Sequence, residues 1–194
     1  MGRSDEELML RFRGGDEAAF EMLYRRHEKP LLNFFYRVVM NPVEAENLCQ
    51  ETFFRIVRAR KKYEASAKFK TWLFEIALNL CRDRTRRMKH RSHLSLNAQA
   101  SSQNCGDVKL QEFVSDPSSD VEKNMETEEL GALVQGAIKS LPEDEHFIVV
   151  LKEYQGMRFS EIANIMNCPI GTVKSLNHRA HKKLRKILAK YIGD

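Results

Sequence analysis

Residues 159–185 read FSEIANIMNCPIGTVKSLNHRAHKKLR and predict a short helix, a tight turn and a long second helix. Ser160 can cap the first helix, Asn167 supplies the turn, and Pro169 suits the first turn of the second helix. The second helix carries an apolar stripe at spacings of three and four residues. The stripe consists of Val173, Leu176, Ala180, Leu184 and Ile187. This order of elements predicts a helix-turn-helix.

The opposite face of the second helix is basic. Between Gly171 and Lys190 the chain has seven Lys or Arg residues and no acidic residue, which matches the charge of a phosphate backbone. Taken alone, such a helix is better explained as a solvated amphipathic helix. Because a cappable helix and a turn precede it here, the sequence favours an element that binds duplex DNA.

The rest of the chain is predicted to be all-α, with two small helical domains. The 194 residues are 42% hydrophobic, and helical periodicity runs to about His90 without strand-like alternation. Ser4 and Asp16 are predicted to cap the first two helices. Asn41 followed by Pro42 predicts the start of a third helix ending near Arg60, and a fourth helix follows a short loop. Helical pattern resumes near residue 121, and another helix opens at residues 141–142.

The predicted domains are residues 1–91 and 123–194, joined by a flexible linker over residues 92–122. Residues 92–128 contain seven acidic residues against two lysines, and the linker is rich in Ser, Asn, Gln and Asp. Such a composition does not bury enough apolar surface to offset the entropy of ordering the chain. We therefore expect an acidic connector between basic surfaces.

Several function classes are disfavoured by what the sequence lacks. Cys49, Cys81, Cys105 and Cys168 are far apart and have no metal-ligand spacing, so no metal or cofactor is expected. The histidines form no triad, and no clustered carboxylates suggest an enzyme that acts on nucleic acid. No leader or membrane-spanning run is visible, so the sequence predicts a cytoplasmic protein without membrane insertion.

Two separated blocks resemble one protein family. Residues 44–59, EAENLCQETFFRIVRA, with residues 69–87, FKTWLFEIALNLCRDRTRR, resemble region 2 of bacterial sigma factors. Residues 141–185, which include the helix-turn-helix, are similar to region 4. The order and spacing of the blocks resemble the compact extracytoplasmic-function (ECF) group. The resemblance implies a non-enzymatic subunit that binds the β′ and β subunits of core RNA polymerase and brings the enzyme to promoters with −10 and −35 elements.

The resemblance also implies a polymerase-binding helix. The family segment similar to residues 44–54 docks on the coiled coil of the β′ subunit, which points to Glu46, Leu48, Gln50 and Glu51. Without the resemblance, the same residues are explained as an ordinary surface helix with pairs at i and i+4.

The loop and helix that follow are expected to handle the −10 element. Opening a duplex in a sequence-specific way requires a pocket that holds a base outside the stack. By resemblance, Tyr63 lines this pocket, and the next helix supplies further contacts to DNA. These contacts are Lys70, Trp72, Asn79, Arg82, Arg86 and Arg87, of which Asn79, Arg86 and Arg87 fit the family pattern N-x-x-x-D-x-x-R-R with Asp83. Phe69 and Trp72 are equally explained as core residues.

The second predicted helix of the helix-turn-helix is expected to enter the major groove at the −35 element. The candidate contacts are Thr172, Lys174, Ser175, His178, Arg179 and Lys182. Two positions depart from the family: Leu176 and His146 stand where many relatives carry Arg. We expect these departures to weaken contact with DNA or to change the preferred sequence.

Three further points concern the linker, a partner and the alternative function. The acidic linker either passes through the active-site region of polymerase, as the resemblance implies, or serves as a passive tether. The resemblance also suggests an anti-sigma factor that masks both domains. The alternative function is a conventional two-domain helix-turn-helix repressor or activator, which would bind duplex DNA alone.

Overall fold

The computed structural model describes residues 2–65, 67–95 and 121–191, and it describes side chains at 2–65, 67–89 and 130–191. Every regular element within these ranges is helical, which confirms the all-α prediction. The helices are α1 (Asp5–Arg13), α2 (Glu17–Val39), α3 (Pro42–Ala59), α4 (Phe69–Ser95), α5 (Val121–Lys139), α6 (Glu143–Val149), α7 (Phe159–Met166) and α8 (Ile170–Leu188). A 3₁₀ turn, Arg60–Lys62, follows α3, and a π-helical turn, Val150–Tyr154, extends α6.

Local signals set the starts of the first three helices. The Ser4 hydroxyl accepts the Glu7 N–H (3.2 Å) while the Glu7 carboxylate accepts the Ser4 N–H (3.0 Å), so α1 begins with a reciprocal cap. Asp16 caps α2 by accepting the Ala19 N–H, and this bond is the main reason the pKa of Asp16 is lowered. Asn41 caps α3 ahead of Pro42, as predicted.

Two predicted boundaries in the helix-turn-helix are wrong by one or two residues. Ser160 does not cap α7, because the helix begins at Phe159 and the Glu161 carboxylate accepts the Arg158 N–H at 2.9 Å. Ser160 is the second residue of α7, so its hydroxyl is not at the N-cap position from which it would accept an N–H two or three residues later. Pro169 lies just before α8 rather than within it, and its carbonyl accepts the N–H groups of Thr172 and Val173.

The helices form two bundles. In the N-terminal bundle, α1–α4 enclose a core of large side chains that are fully buried, among them Leu23, Phe34, Phe35, Ile56 and Phe74. In the C-terminal bundle, α5–α8 enclose a smaller core that includes Phe147, Ile148, Ile162, Val173 and Ala180. Helix α4 continues to Ser95, beyond the predicted domain end at residue 91. Most of the predicted linker, residues 96–120, lies outside the described residues.

The two bundles are in direct contact. Helix α7 packs along α4, and the π-helical turn packs on α2. This contact places the first helix of the helix-turn-helix against the helix that carries most of the −10 candidates.

Candidate nucleic-acid and polymerase interface

Helix α8 presents all its predicted −35 residues to solvent. Asn167 adopts a left-handed conformation (φ 52°) that ends α7 and turns the chain into α8. Val173 and Ala180 are fully buried against α6 and α7, and this anchors one face of α8 in the core. All six candidates are exposed on the remaining surface: Thr172, Lys174, Ser175, His178, Arg179 and Lys182. The geometry therefore fits a helix that can enter a DNA groove.

The two positions that depart from the family have local explanations. Leu176 is partly buried and packs against the hydrophobic core. His146 is buried, and its Nε2 lies 3.1 Å from the carbonyl oxygen of Arg37 in α2. Burial lowers the pKa of His146, while the Arg37 carbonyl and Glu143 act in the opposite direction. In this arrangement His146 contacts the N-terminal bundle.

Tyr63 is buried in an aromatic cluster. Its side chain is 3% exposed, and its ring centre lies 5.1 Å from that of Trp72 and 6.3 Å from that of Phe69. Burial, followed by the charges of Glu6 and Asp5, raises the pKa of the Tyr63 phenol. Phe69 is fully buried and Trp72 is partly buried. Phe69 is thus a core residue, and Trp72 packs against the core while remaining partly exposed.

The other −10 candidates divide into two groups. Asn79, Arg86 and Arg87 are exposed along α4. Lys70 and Arg82 are engaged with the C-terminal bundle: Lys70 Nζ donates to the Gln155 carbonyl at 2.8 Å, and Arg82 Nη2 lies 3.2 Å from Asp144 Oδ1.

Further polar contacts join the bundles. Lys68 Nζ lies 2.7 Å from Glu161 Oε1, and the hydrogen bond from Lys68 is the main reason the pKa of Glu161 is lowered. Gln155 Nε2 donates to the Pro30 carbonyl at 3.2 Å. The Arg37 guanidinium lies 3.6 Å from the centre of the Tyr154 ring, a cation–π contact. We call this arrangement of α1–α4 against α5–α8 the closed form.

The predicted polymerase-binding residues lie on α3 but do not share one face. Glu46 and Gln50 are exposed, and Glu51 forms an ion pair with Arg55 at 2.9 Å. Leu48 packs against the core instead. Phe54, which the sequence reasoning did not select, is 54% exposed one helical turn after Gln50. An apolar residue at an exposed helical position was the available signal for it.

The interbundle residues were also missed. Asp144, Gln155 and Glu161 were not selected from the sequence, because their partners are 62, 85 and 93 positions away and no periodicity links them. Glu6 and Arg13, which contact the connection between α3 and α4, likewise gave no local signal.

Two kinds of feature are absent from the described residues. No group of three or more His, Cys, Asp or Glu side chains in residues 2–65, 67–89 and 130–191 is placed to hold a metal ion. Among the helices whose residues are described, none has the length and apolar character needed to cross a membrane.

Comparisons with known families match both blocks. The profile of Sigma-70 region 2 matches residues 23–91, and that of Sigma-70, region 4, matches residues 132–184. The RNA polymerase sigma-H factor of Pseudomonas aeruginosa is 31% identical over 185 residues, covering 95% of this chain and 93% of that protein. The RNA polymerase sigma factor CarQ of Myxococcus xanthus is 33% identical over 180 residues, covering 93% and 95%. The ECF RNA polymerase sigma-E factor of Escherichia coli is 31% identical over 181 residues, covering 93% and 92%.

Solved structures share the fold. CnrH in complex with the cytosolic domain of CnrY superposes with a TM-score of 0.69 at 20% identity, covering 97% of this chain and 99% of that one. The sigma factor RpoE in complex with the anti-sigma factor NepR from Bartonella quintana gives a TM-score of 0.66 at 22% identity, covering 87% and 96%. The sequence relatives span nearly the whole chain and include both regions. The chain therefore belongs to the extracytoplasmic-function sigma factors of RNA polymerase.

Proposed function

We propose that this sigma factor binds core RNA polymerase in the cytoplasm and directs initiation at promoters, reading the −10 element with residues 1–91 and the −35 element with residues 123–194. The role is one of binding, and no catalytic step is assigned to the chain. The observation that supports it best is the exposed polar and basic face of α8. Six candidate contacts share that face on a helix whose other side is fixed in a core.

Binding to polymerase is assigned to α3. Glu46, Gln50 and Glu51 place carboxylate and amide groups on or near the exposed surface, and the exposed Phe54 ring adds an apolar anchor. A partly apolar patch with a polar rim is typical of protein interfaces. Leu48 supports this surface from beneath rather than contacting polymerase.

Reading of the −10 element is assigned to Tyr63 and α4. Asn79, Arg86 and Arg87 are available for DNA as the structure stands, while Lys70 and Arg82 are engaged with the C-terminal bundle. Trp72 is partly exposed beside Tyr63, and its ring offers a stacking surface for an unstacked base. Full contact with the −10 element therefore requires the bundles to separate.

The distance between the two promoter elements leads to the same conclusion. Positions −10 and −35 are roughly 25 base pairs apart, which is about 85 Å at 3.4 Å per base pair. In the closed form α8 adjoins α7, and α7 packs directly on α4. Packed helices lie only about 8–10 Å apart, so the two reading surfaces are about 20–30 Å apart. The closed form cannot contact both elements together.

The covalent chain allows the required separation. The 25 residues between Ser95 and Val121 can span at most about 85 Å when fully extended. We infer that the closed form is a resting form and that association with core polymerase selects an open one. Related sigma factors have been solved with an anti-sigma factor, and we propose that a partner of this kind stabilises the closed form here.

The test separates the two reading functions. The DNA is a promoter that the holoenzyme selects from a randomised library. Tyr63→Ala and Arg179→Ala are compared with Lys186→Ala, which changes an exposed residue on the same helix as Arg179. Tyr63→Ala should slow strand opening about tenfold, because it removes the ring that supports Trp72 and a base-stacking contact is worth about 1–3 kcal/mol, while Tyr63→Phe should open normally. Arg179→Ala should weaken binding to the −35 duplex. Equal effects of both changes on both measurements would refute the division of labour.

A further inference from the structure

Helix α1 is fixed to the N-terminal bundle along its length. Leu8 and Met9 are fully buried and Phe12 is 3% exposed, so one face of the helix lies in the core. At its first turn, Asp5 Oδ2 lies 2.7 Å from His27 Nε2, and Asp5 Oδ1 lies 2.8 Å from an Arg26 guanidinium nitrogen. Because both polar and apolar contacts tie α1 to α2, the helix can act as a rigid support.

Two polar side chains of α1 reach the residues on either side of the connection between the 3₁₀ turn and α4. The Glu6 carboxylate accepts the backbone N–H of Phe69 at 2.9 Å. Arg13 Nη1 donates to the backbone carbonyl of Tyr63 at 3.0 Å. Tyr63 ends the 3₁₀ turn and Phe69 begins α4, so α1 holds both flanks of the connection.

Each contact satisfies a backbone group that the local structure leaves without a partner. The Phe69 N–H is one of the first four of α4, none of which has an acceptor within its own helix. A carboxylate at this position forms a charge-assisted hydrogen bond and also interacts favourably with the helix dipole. Arg13 supplies a charged donor to the Tyr63 carbonyl, which lies beyond the hydrogen-bonded turn. The negative charge of Glu6 also contributes to the raised pKa of Tyr63.

The two backbone groups belong to residues of the aromatic cluster. The Phe69 ring centre lies 6.2 Å from that of Trp72 and 6.3 Å from that of Tyr63. Fixing the main chain at residues 63 and 69 therefore fixes the rings assigned to the opened −10 strand. We propose that Glu6 and Arg13 are positioning residues for −10 recognition, so that α1 sets base discrimination through the backbone of Tyr63 and the first turn of α4. This inference rests on the proposed function.

The test measures discrimination by holoenzyme assembled from the full chain and bacterial core polymerase. Fluorescent single-stranded oligonucleotides carry the selected −10 sequence or a single-base change in it, and the ratio of the two Kd values is the readout. Glu6→Ala and Arg13→Ala should each lower this ratio about tenfold, as expected when one charge-assisted hydrogen bond is lost from the binding-competent form. Glu6→Gln keeps an acceptor for the Phe69 N–H and should recover most of the ratio.

Glu7→Ala is the matched control. It removes the half of the α1 cap in which the Glu7 carboxylate accepts the Ser4 N–H, and it should lower Tm, but it leaves both contacts to the connection intact. Its discrimination ratio should stay at the wild-type value. The inference is wrong if Glu6→Ala keeps the wild-type ratio. It is also wrong if Glu6→Ala and Glu7→Ala lower Tm by the same amount and lower the ratio by the same factor. Absence of discrimination by the wild-type holoenzyme would overturn the proposed −10 function itself, and the positioning role with it.

Discussion

Charge reversal at Lys68 tests whether the closed form is held by the contacts between the bundles. The ion pair between Lys68 and Glu161 joins the connection before α4 to the first turn of α7, and the two side chains are 64% and 23% exposed. Exposed pairs of this kind contribute about 0.2–1 kcal/mol. Lys68→Glu replaces the attraction with a repulsion of similar size. The closed form should lose about 1 kcal/mol, which raises the ratio of open to closed molecules about fivefold.

Single-molecule energy transfer between dyes on the two bundles measures this ratio without DNA or polymerase. Cysteines introduced at the exposed positions Asn47 on α3 and Lys186 on α8 carry the dyes, in a background with Cys105 and Cys168 changed to serine. Low ionic strength is preferred, because at 0.15 M salt the Debye length of about 8 Å weakens interactions between exposed charges.

Two further variants make the result decisive. Lys62→Glu reverses an exposed charge in the adjacent 3₁₀ turn and should leave the ratio near the wild-type value. Combining Lys68→Glu with Glu161→Lys restores an opposite-charge pair and should recover part of the closed population. Recovery is partial because Glu161 also accepts the Arg158 N–H. If Lys68→Glu and Lys62→Glu change the ratio equally, the ion pair does not support closure and the reasoning fails.

Three other predictions concern titration, reactivity and packing. Burial lowers the pKa of His146 below its usual 6.5, so the neutral ring stabilises the closed form above pH 6.5. This stabilisation is lost as the pH falls below 6.5. The same energy-transfer assay should show opening between pH 7.5 and 5.5, and His146→Gln should reduce that pH dependence. Burial raises the pKa of Cys81 to about 12, so a thiol reagent at pH 8 should modify the half-buried Cys168 well before Cys81, and equal rates would contradict the burial. Phe74→Ala should lower the free energy of unfolding of the N-terminal bundle by about 3–5 kcal/mol, because the ring is fully buried, and a loss below about 1 kcal/mol in denaturant titration would contradict this packing.

Helix ends that depend on nearby residues could be predicted from the sequence. Ser4, Asp16 and Asn41 each accept an N–H three residues later, and this pattern is visible in the chain itself. The apolar stripe of α8 was equally readable, because burial of Val173 and Ala180 follows from helical spacing. The prediction for Ser160 failed because α7 begins before that residue, with Arg158 at the N-cap position.

Contacts between distant residues could not be predicted in this way. The burial of Tyr63 depends on Phe69 and Trp72 folding back over it, and the partners of Lys70 and Arg82 come from the other bundle. The family resemblance indicated candidate residues for each DNA element. It gave no information on which of these residues contact the other bundle in the closed form. These placements depend on how two helical surfaces meet, and no local periodicity encodes that arrangement.

Transcription by purified core polymerase, with and without this chain, shows whether the chain directs promoter-specific initiation. The template carries a promoter selected by the holoenzyme, and an otherwise identical template carries scrambled −10 and −35 elements. A sigma factor should give discrete run-off transcripts only with the chain present and only from the intact promoter. If the chain binds that duplex tightly without polymerase but yields no transcript with it, the chain is a conventional DNA-binding regulator and not a promoter-selecting subunit of polymerase.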